Sequence, residues 1–560
     1  MCAIDCAVII HNMANKVLKI HQNDNVLVAL ADLKAGETVA YNGTSINLTS
    51  DVPAKHKFAQ FEMIPNQEVI MYGTLVGKAV ETIPAGGILS TANVKHQASS
   101  FGAKTADFNW LAPDVSKYTY KTFLGYHRQD GQVGTANYWL VIPLVFCENR
   151  NVNIIKQAFL DELGFGHQDM YKDYVHQMVE LYKAGKTDEI AQLPLHTQAQ
   201  NSQKRLFENI DGIKFLTHEG GCGGIRQDSD MLCALLAGYI HNPNVAGATV
   251  LSLGCQNAQT GILEEKIKAL NPEFSKPLFV LEQQKEGTEQ ELLSKAIRKT
   301  FLGLVEANKE SRKPAPLNKL VIGLECGGSD GFSGISANPS IGHTSDLLVA
   351  LGGSSILSEF PELCGVEQEL INRCVNNDAA DKFVHLMRSY ARAAEAVGSG
   401  FDMNPSPGNI KDGLITDAIK SAGAAKKGGT SPVVDVLDYT EYVTKPGLTL
   451  LCTPGNDVES TTAMAGSGAN IILFTTGLGT PTGNPITPVI KLSSNSKLAE
   501  RMPDIIDIDT GAVIAGDKTI EEMGEAILDY IIDVASGTTK TKADQLGQDD
   551  FIPWKRGVSL

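Results

Sequence analysis

Residues 319–334 read KLVIGLECGGSDGFSG. The apolar run KLVIGL ends in Glu325 and Cys326 and passes at once into a loop carrying Gly327, Gly328, Gly331 and Gly334. A short, continuous apolar run bounded by glycines is the pattern of a strand buried on both faces. The same pattern recurs upstream and downstream. YWLVIPLVF (138–146) leads to Cys147, IKFLT (213–217) leads to HEGGCGG (218–224), ATVLSLG (248–254) leads to Cys255, and PLFVLEQ (277–283) follows. LTLLCT (448–453) and NIILFTT (470–476) repeat it near the other end. Between these runs lie stretches of helical periodicity, among them SDMLCALLAGYI (229–240), GILEEKIKAL (261–270) and EQELLSKAIRKTFLGLVEAN (289–308). Strand and helix in alternation predict a doubly wound, mostly parallel α/β region. We divide it into two parts, 123–384 and 385–560.

Residues 17–98 have a different texture. Short runs such as NVLVAL, ETVAY, KFAQF and EVIMYG are separated by turn residues, and ADLKAGETVA (31–40), EMIPNQEVIM (62–71) and ETIPAGGILS (81–90) resemble one another. This pattern predicts a compact all-β domain of turn-linked strands. Residues 99–122 lack a period and read as a linker, and 1–16 as a short N-terminal extension. MCAIDCAVIIHNM lacks the basic start of a signal peptide and carries Asp5 within its apolar part.

With 64 acidic against 48 basic residues, a net charge of −16 argues against nucleic-acid partners, which need basic surfaces. A small anionic substrate remains compatible, provided that a metal ion or a lysine/arginine cluster supplies local positive charge. No apolar run reaches the roughly 18 residues a membrane span needs. Ten cysteines without a CxxC pair, and without a signal peptide, point to free thiols or metal ligands in a reducing cytoplasm.

Cys222, Cys255 and Cys326 each stand at the predicted carboxyl end of a strand, where ligands bind in open α/β sheets. Three thiols on one rim would suit a metal or a cluster; buried small hydrophobes are the alternative. His218 and Glu219 beside Cys222 add two competent ligand types, or His218 simply bonds the local backbone. GGSDGFSG lacks the lysine of a phosphate-binding P-loop. In the β region, His56 between Lys55 and Lys57 is a candidate acid–base group beside anion-attracting charges, and Asp24 and Asn25 form a second polar pair. Each of these is equally readable as a turn residue.

Taken in order, HQNDNVLVAL, VPAKHKFA, FLGYHRQDGQVGTANY, HEGGCG, LGCQN, ECGGSDGFSGISANP, NRCVN, NPSPGN, KGGTSPVVDVL, PGND and LFTTGLGTPTGNP resemble the altronate/galactarate dehydratase family over nearly the whole chain. The GISANP, NPSPGN and GTSPVVDVL segments are most similar to its altronate branch. Two places depart from the pattern: Glu325, where a basic residue is expected, and the residues after the cysteine in HEGGCGG. The resemblance implies an N-terminal SAF (β-clip) domain at 17–98 followed by the α/β dehydratase region. It also implies hydro-lyase chemistry, D-altronate to 2-dehydro-3-deoxy-D-gluconate and water in hexuronate breakdown, with iron as cofactor, either Fe2+ or an iron–sulfur cluster. Loop placement and family motifs together assign the metal to Cys222, Cys255 and Cys326 with His218 nearby. They make His56 the acid–base group and Lys57 the residue that orients the substrate carboxylate, with Asp24, Asn25, Asp330 and Asn338 binding the sugar acid. A galactarate-type aldarate dehydratase and a non-catalytic carbohydrate- or anion-binding protein are the alternatives. The oligomeric state, a homo-oligomer included, stays open.

Overall fold

The computed structural model describes residues 16–166, 170–195 and 204–559. The N-terminal domain is all β. Strands Val17–Leu18, Val26–Ala29 and Lys57–Ala59 form one antiparallel sheet, Thr38–Tyr41 and Thr44–Asn47 a hairpin, and Glu68–Met71, Thr74–Ala79 and Val94–Lys95 a third sheet. The three similar segments serve one structural purpose. Each buries its apolar step, Leu33, Met63 or Ile83, and Met63 and Ile83 exchange backbone hydrogen bonds of 2.8 and 2.9 Å.

Two parallel sheets follow. The smaller has the order Gly212–Phe215, Tyr138–Pro143, Val245–Ser252, Leu278–Glu282. Every residue of Val245–Ser252 is buried, because helices cover both faces, and this is why the run reads as continuously apolar. The larger sheet has seven parallel strands in the order Val433–Leu437, Gly447–Leu451, Ser354–Leu357, Val321–Cys326, Ile471–Thr476, Val489–Ser493, Ile508–Asp509. The α/β expectation is met, and the winding shows why the opening stretch matters. From the central strand Val321–Cys326 the chain winds first toward Ser354–Leu357, then returns to continue on the other side at Ile471–Thr476. The carboxyl end of Val321–Cys326 is therefore the topological switch point, where the flanking loops diverge and leave a crevice.

The β domain is docked firmly on the larger sheet. Val76, Ile83 and Leu89 share one continuous buried core with Phe360, Phe383 and Ile415. Residues 99–122 run over the same region, where the Lys104 ammonium donates to the carbonyls of Asn372 and Cys374 at 2.8 and 2.6 Å. No helix among the described residues is long and apolar enough to cross a membrane.

Candidate active site

At the switch point, the strand end places Glu325 and Cys326 in the interior, and both are sealed from solvent. The loop after the neighbouring strand Ser354–Leu357 contributes Ser358, Glu359 and Glu362, all buried. Glu359 occupies the left-handed region at φ 64°, ψ 58°. Backbone strain of this kind costs about 1–3 kcal/mol and persists where surrounding contacts over-determine it. Here the Glu359 amide donates to Thr453 Oγ1 at 2.8 Å, and its carboxylate accepts from the Cys326 amide at 3.2 Å.

Two lysines enter the cluster. The Lys427 ammonium donates to Cys326 Sγ at 2.9 Å and makes a close ion pair with Glu359. Lys420 pairs with Glu362 at 2.5 Å and donates to Asn404 Oδ1 at 3.1 Å, while the Cys326 thiol donates to Glu362 at 3.2 Å. Burial opposes charge on Lys427, but Cys326, Glu359 and Glu362 around it hold its pKa well above the ordinary lysine value. Glu362 is held below the usual carboxylate range against its burial, by Lys420 and then Lys427. Burial, followed by the neighbouring Glu359 charge, drives the Glu325 pKa well up. Burial likewise raises Asp457 to about 7, with Glu359 adding to the effect.

Glu325, Glu359 and Asp457 bring carboxyl oxygens within 4.8 Å of one another. Oε1 of Glu325 and Oε1 of Glu359 are buried and meet no donor among the described residues. Two orphaned, hard oxygen donors beside a third carboxylate fit a divalent cation. Gly327 makes this approach possible: a Cβ there would lie 2.0 Å from Asp457 Oδ2. Ser329 Oγ, three residues past Cys326, is also buried without a partner.

The same loop reaches the β domain. Asp330 is fully buried, and its carboxylate accepts from Ser494 Oγ at 2.7 Å, from the Ser333 amide at 2.9 Å and from Asn495 Nδ2 at 3.1 Å. It also pairs with Lys55 at 2.9 Å. His56 is half-buried at this junction, with Nε2 3.0 Å from Lys411 O; burial lowers its pKa, so the ring is neutral at pH 7. Lys57 is wholly buried, donates to Gly413 O at 2.8 Å, and is lowered by that burial to about 7.

The remaining residues singled out from sequence occupy several places. Asp24 is a turn anchor, accepting from the amides of His21 and Gly73 at 2.9 and 2.8 Å. Asn25 bridges strands through Glu68 O and the Ile70 amide at 2.8 and 2.9 Å. Asn338 lies against the central strand, taking a 2.6 Å hydrogen bond from Thr475 Oγ1. Cys222, Cys255 and His218 belong to the smaller sheet, whereas Cys326 closes the central strand of the larger one. The structure therefore does not gather these four into one ligand set. The sets of ligand atoms within 4.8 Å among the described residues include Cys326 but none of the other three.

His218 also has both ring nitrogens occupied. Nε2 lies 2.7 Å from Pro143 O and Nδ1 accepts from the Gly220 amide at 3.1 Å. Burial lowers its pKa to about 4. An unfolded chain binds this proton from about pH 6.5 downward, and the folded one resists until about pH 4, so stability is lost as pH falls through that window, by about 3 kcal/mol in full. His218→Gln should flatten this part of the urea-midpoint profile between pH 6.5 and 4. An unchanged slope would show that the imidazole is not held neutral.

Glu359, Glu362, Lys420, Lys427 and Asp457 escape a sequence reading. SEFPEL follows the apolar run SSIL directly, as ECGG follows VIGL, and that placement was the available signal. Lys427 opens KGGTSPVVDVL and Asp457 closes PGND, two segments of the resemblance, but paired lysines and a turn-rich PGND ordinarily mark solvated turns, so neither residue stood out as a site candidate.

A doubly wound sheet whose switch point gathers buried carboxylates, ammonium groups and a thiol, with an all-β domain docked beside it, is the architecture of a multidomain α/β protein with a candidate active site at that switch point. Three family models match consecutive segments: the altronate/galactarate dehydratase SAF domain at 15–97, the second domain of D-galactarate dehydratase/altronate hydrolase at 125–308, and the C-terminal D-galactarate/altronate dehydratase domain at 317–559. The chain is 34% identical over 550 residues to an altronate dehydratase of Bacillus subtilis, covering 97% of this chain and 99% of the relative. It is 33% identical over 545 residues to an altronate dehydratase of Escherichia coli, with the same coverage of both chains. It is also 32% identical over 543 residues to the galactarate dehydratase (L-threo-forming) of E. coli, covering 95% and 94%. The chain belongs to the D-galactarate/altronate dehydratase family and is an enzyme of the hydro-lyase class.

Proposed function

We propose that this enzyme dehydrates D-altronate to 2-dehydro-3-deoxy-D-gluconate in hexuronate breakdown, in the reducing cytoplasm that its free cysteines suit. The bond to the C2 proton and the bond from C3 to its hydroxyl both break, water leaves, and the resulting enol tautomerises to the 2-keto acid. One observation carries the reading. The Cys326–Asp330 loop is tied at one end to the buried carboxylate–lysine cluster and at the other to Lys55 of the β domain. A sugar acid lying over Gly327–Ser329 would meet chemistry from both sides.

The unpartnered Ser329 hydroxyl is the natural contact for a substrate oxygen. Lys420 and Lys427 offset the acidic side chains, so an anionic substrate is not repelled from this part of an acidic protein. Neutral His56, with its Nε2–H on Lys411 O, keeps the Nδ1 lone pair to take or return a proton, and Lys57 adds positive charge beside it. Glu325, Glu359 and Asp457 are the residues that would hold divalent iron, which would supply Lewis acidity toward the charge developing on the substrate carboxylate.

The test measures 2-keto acid formation from D-altronate, galactarate and other aldonates and aldarates, with Fe2+ and reductant. D-altronate should give the highest kcat/KM. Galactarate as the preferred substrate would move the enzyme to the aldarate branch, and no keto acid from any of them would overturn the reading. Ser329→Ala should lower kcat/KM by about 10- to 100-fold, the loss of about 1–3 kcal/mol expected for one buried hydrogen bond, without moving the thermal midpoint.

A further inference from the structure

We propose that Cys147, Cys222 and Cys255 form a second centre, a three-thiolate site for an iron–sulfur cluster, at the carboxyl edge of the smaller sheet. Free cysteine is among the most buried residue types. Cys233, Cys326, Cys374 and Cys452 follow that rule and Cys364 is half-buried, whereas Cys147, Cys222 and Cys255 are all exposed. These three follow three adjacent parallel strands, Tyr138–Pro143, Gly212–Phe215 and Val245–Ser252. None of the three thiols has a hydrogen-bond partner among the described residues.

Backbone contacts lock the three loops together. The Phe146 amide donates to Gly220 O at 3.1 Å, and the Ala258 amide to Gly221 O at 3.0 Å, so the Cys222 loop is held by both of its neighbours. Gly221, at φ +97°, packs so closely that a Cβ would lie 2.4 Å from Leu144 O. Asn149 clamps the Cys147 turn to His218, donating from Nδ2 to His218 O at 2.9 Å. Gln256, buried beside Cys255, ties its own loop through the Gly254 amide, Ser252 Oγ and Ala258 O at 2.6, 2.6 and 3.0 Å. Thiols exposed to solvent on so rigid a frame are placed to bind rather than to pack.

Sulfur ligands select soft centres, iron–sulfur clusters among them, over hard cations. Three thiolates leave one iron of a cubane cluster without a protein ligand. A cleft of about 290 Å³ opens beside Cys222, lined also by Glu219, Asp228 and Lys555, so an open iron would face solvent-accessible space. The three thiols follow strands of the smaller sheet and the buried carboxylates gather at the larger one, and the proposal does not depend on which sugar acid is the substrate.

The full chain, purified without oxygen and reconstituted with Fe2+ and sulfide, should gain broad visible thiolate-to-iron absorption and about four acid-labile sulfides per chain. Cys147→Ser, Cys222→Ser and Cys255→Ser should each lose both signals while keeping the wild-type thermal midpoint of the metal-free protein. Cys326→Ser and Asp457→Asn should keep both signals, whatever happens to turnover. Labile sulfide that persists in the triple Cys147/Cys222/Cys255→Ser variant would overturn the proposal. So would a wild-type chain that takes up no labile sulfide, for example one that binds only zinc at these thiols.

Discussion

Replacing Lys427 with Met should destabilise the enzyme by about 3–5 kcal/mol and abolish turnover. The expected loss is large because the ammonium is the innermost cation of a sealed cluster. It pairs with Glu359 and donates to Cys326 Sγ, and solvent cannot take over either role once it is gone. Leaving one member of a buried pair without its partner costs far more than the pair itself contributes. Removing both members is the decisive control: Lys427→Met combined with Glu359→Gln should recover a substantial part of the stability lost in the single variant, as expected for groups in direct contact. Urea unfolding of the wild type, both single variants and the double variant measures this coupling. Additive single effects would mean that the Lys427–Glu359 contact contributes nothing specific.

His56→Gln should lower kcat by about 100- to 10,000-fold, the range that a positioned acid–base group contributes. Gln keeps a donor for Lys411 O, so docking of the β domain and the thermal midpoint should hardly change. The metal content of the purified variant should match that of the wild type as well. A proton-transfer role also predicts that the residual activity of the variant loses the acid limb of the kcat pH profile, which a purely structural role would leave in place. Turnover near the wild-type level would remove His56 from the mechanism.

Legibility in the sequence followed burial. Val321–Cys326, Val245–Ser252 and Ile471–Thr476 are wholly or almost wholly buried between helices, so their apolar runs stand out in the chain. Cys326 was visible as a candidate because it ends such a run. The partners that surround it were not, since Glu359, Lys427 and Asp457 lie far along the chain from it and are brought beside it only through strand order. Glu325, seen in the sequence as a departure, is an acid inside the central strand that Ser460 Oγ reaches at 2.6 Å. Strand order also divided the cysteines. Cys222 and Cys255 stand on neighbouring loops of one sheet, with Cys147 beside them, while Cys326 serves another sheet.

By itself the sequence determined the elements and their classes: a β domain of turn-linked segments, alternating strands and helices after it, and glycine loops at strand ends where ligands bind. Periodicity and burial are local properties, and they are written in consecutive residues. Only the tertiary structure decided which strand ends share a rim, which acids share a buried space and which lysines compensate them. Those relations depend on sheet order and winding, which bring together residues that no local pattern connects.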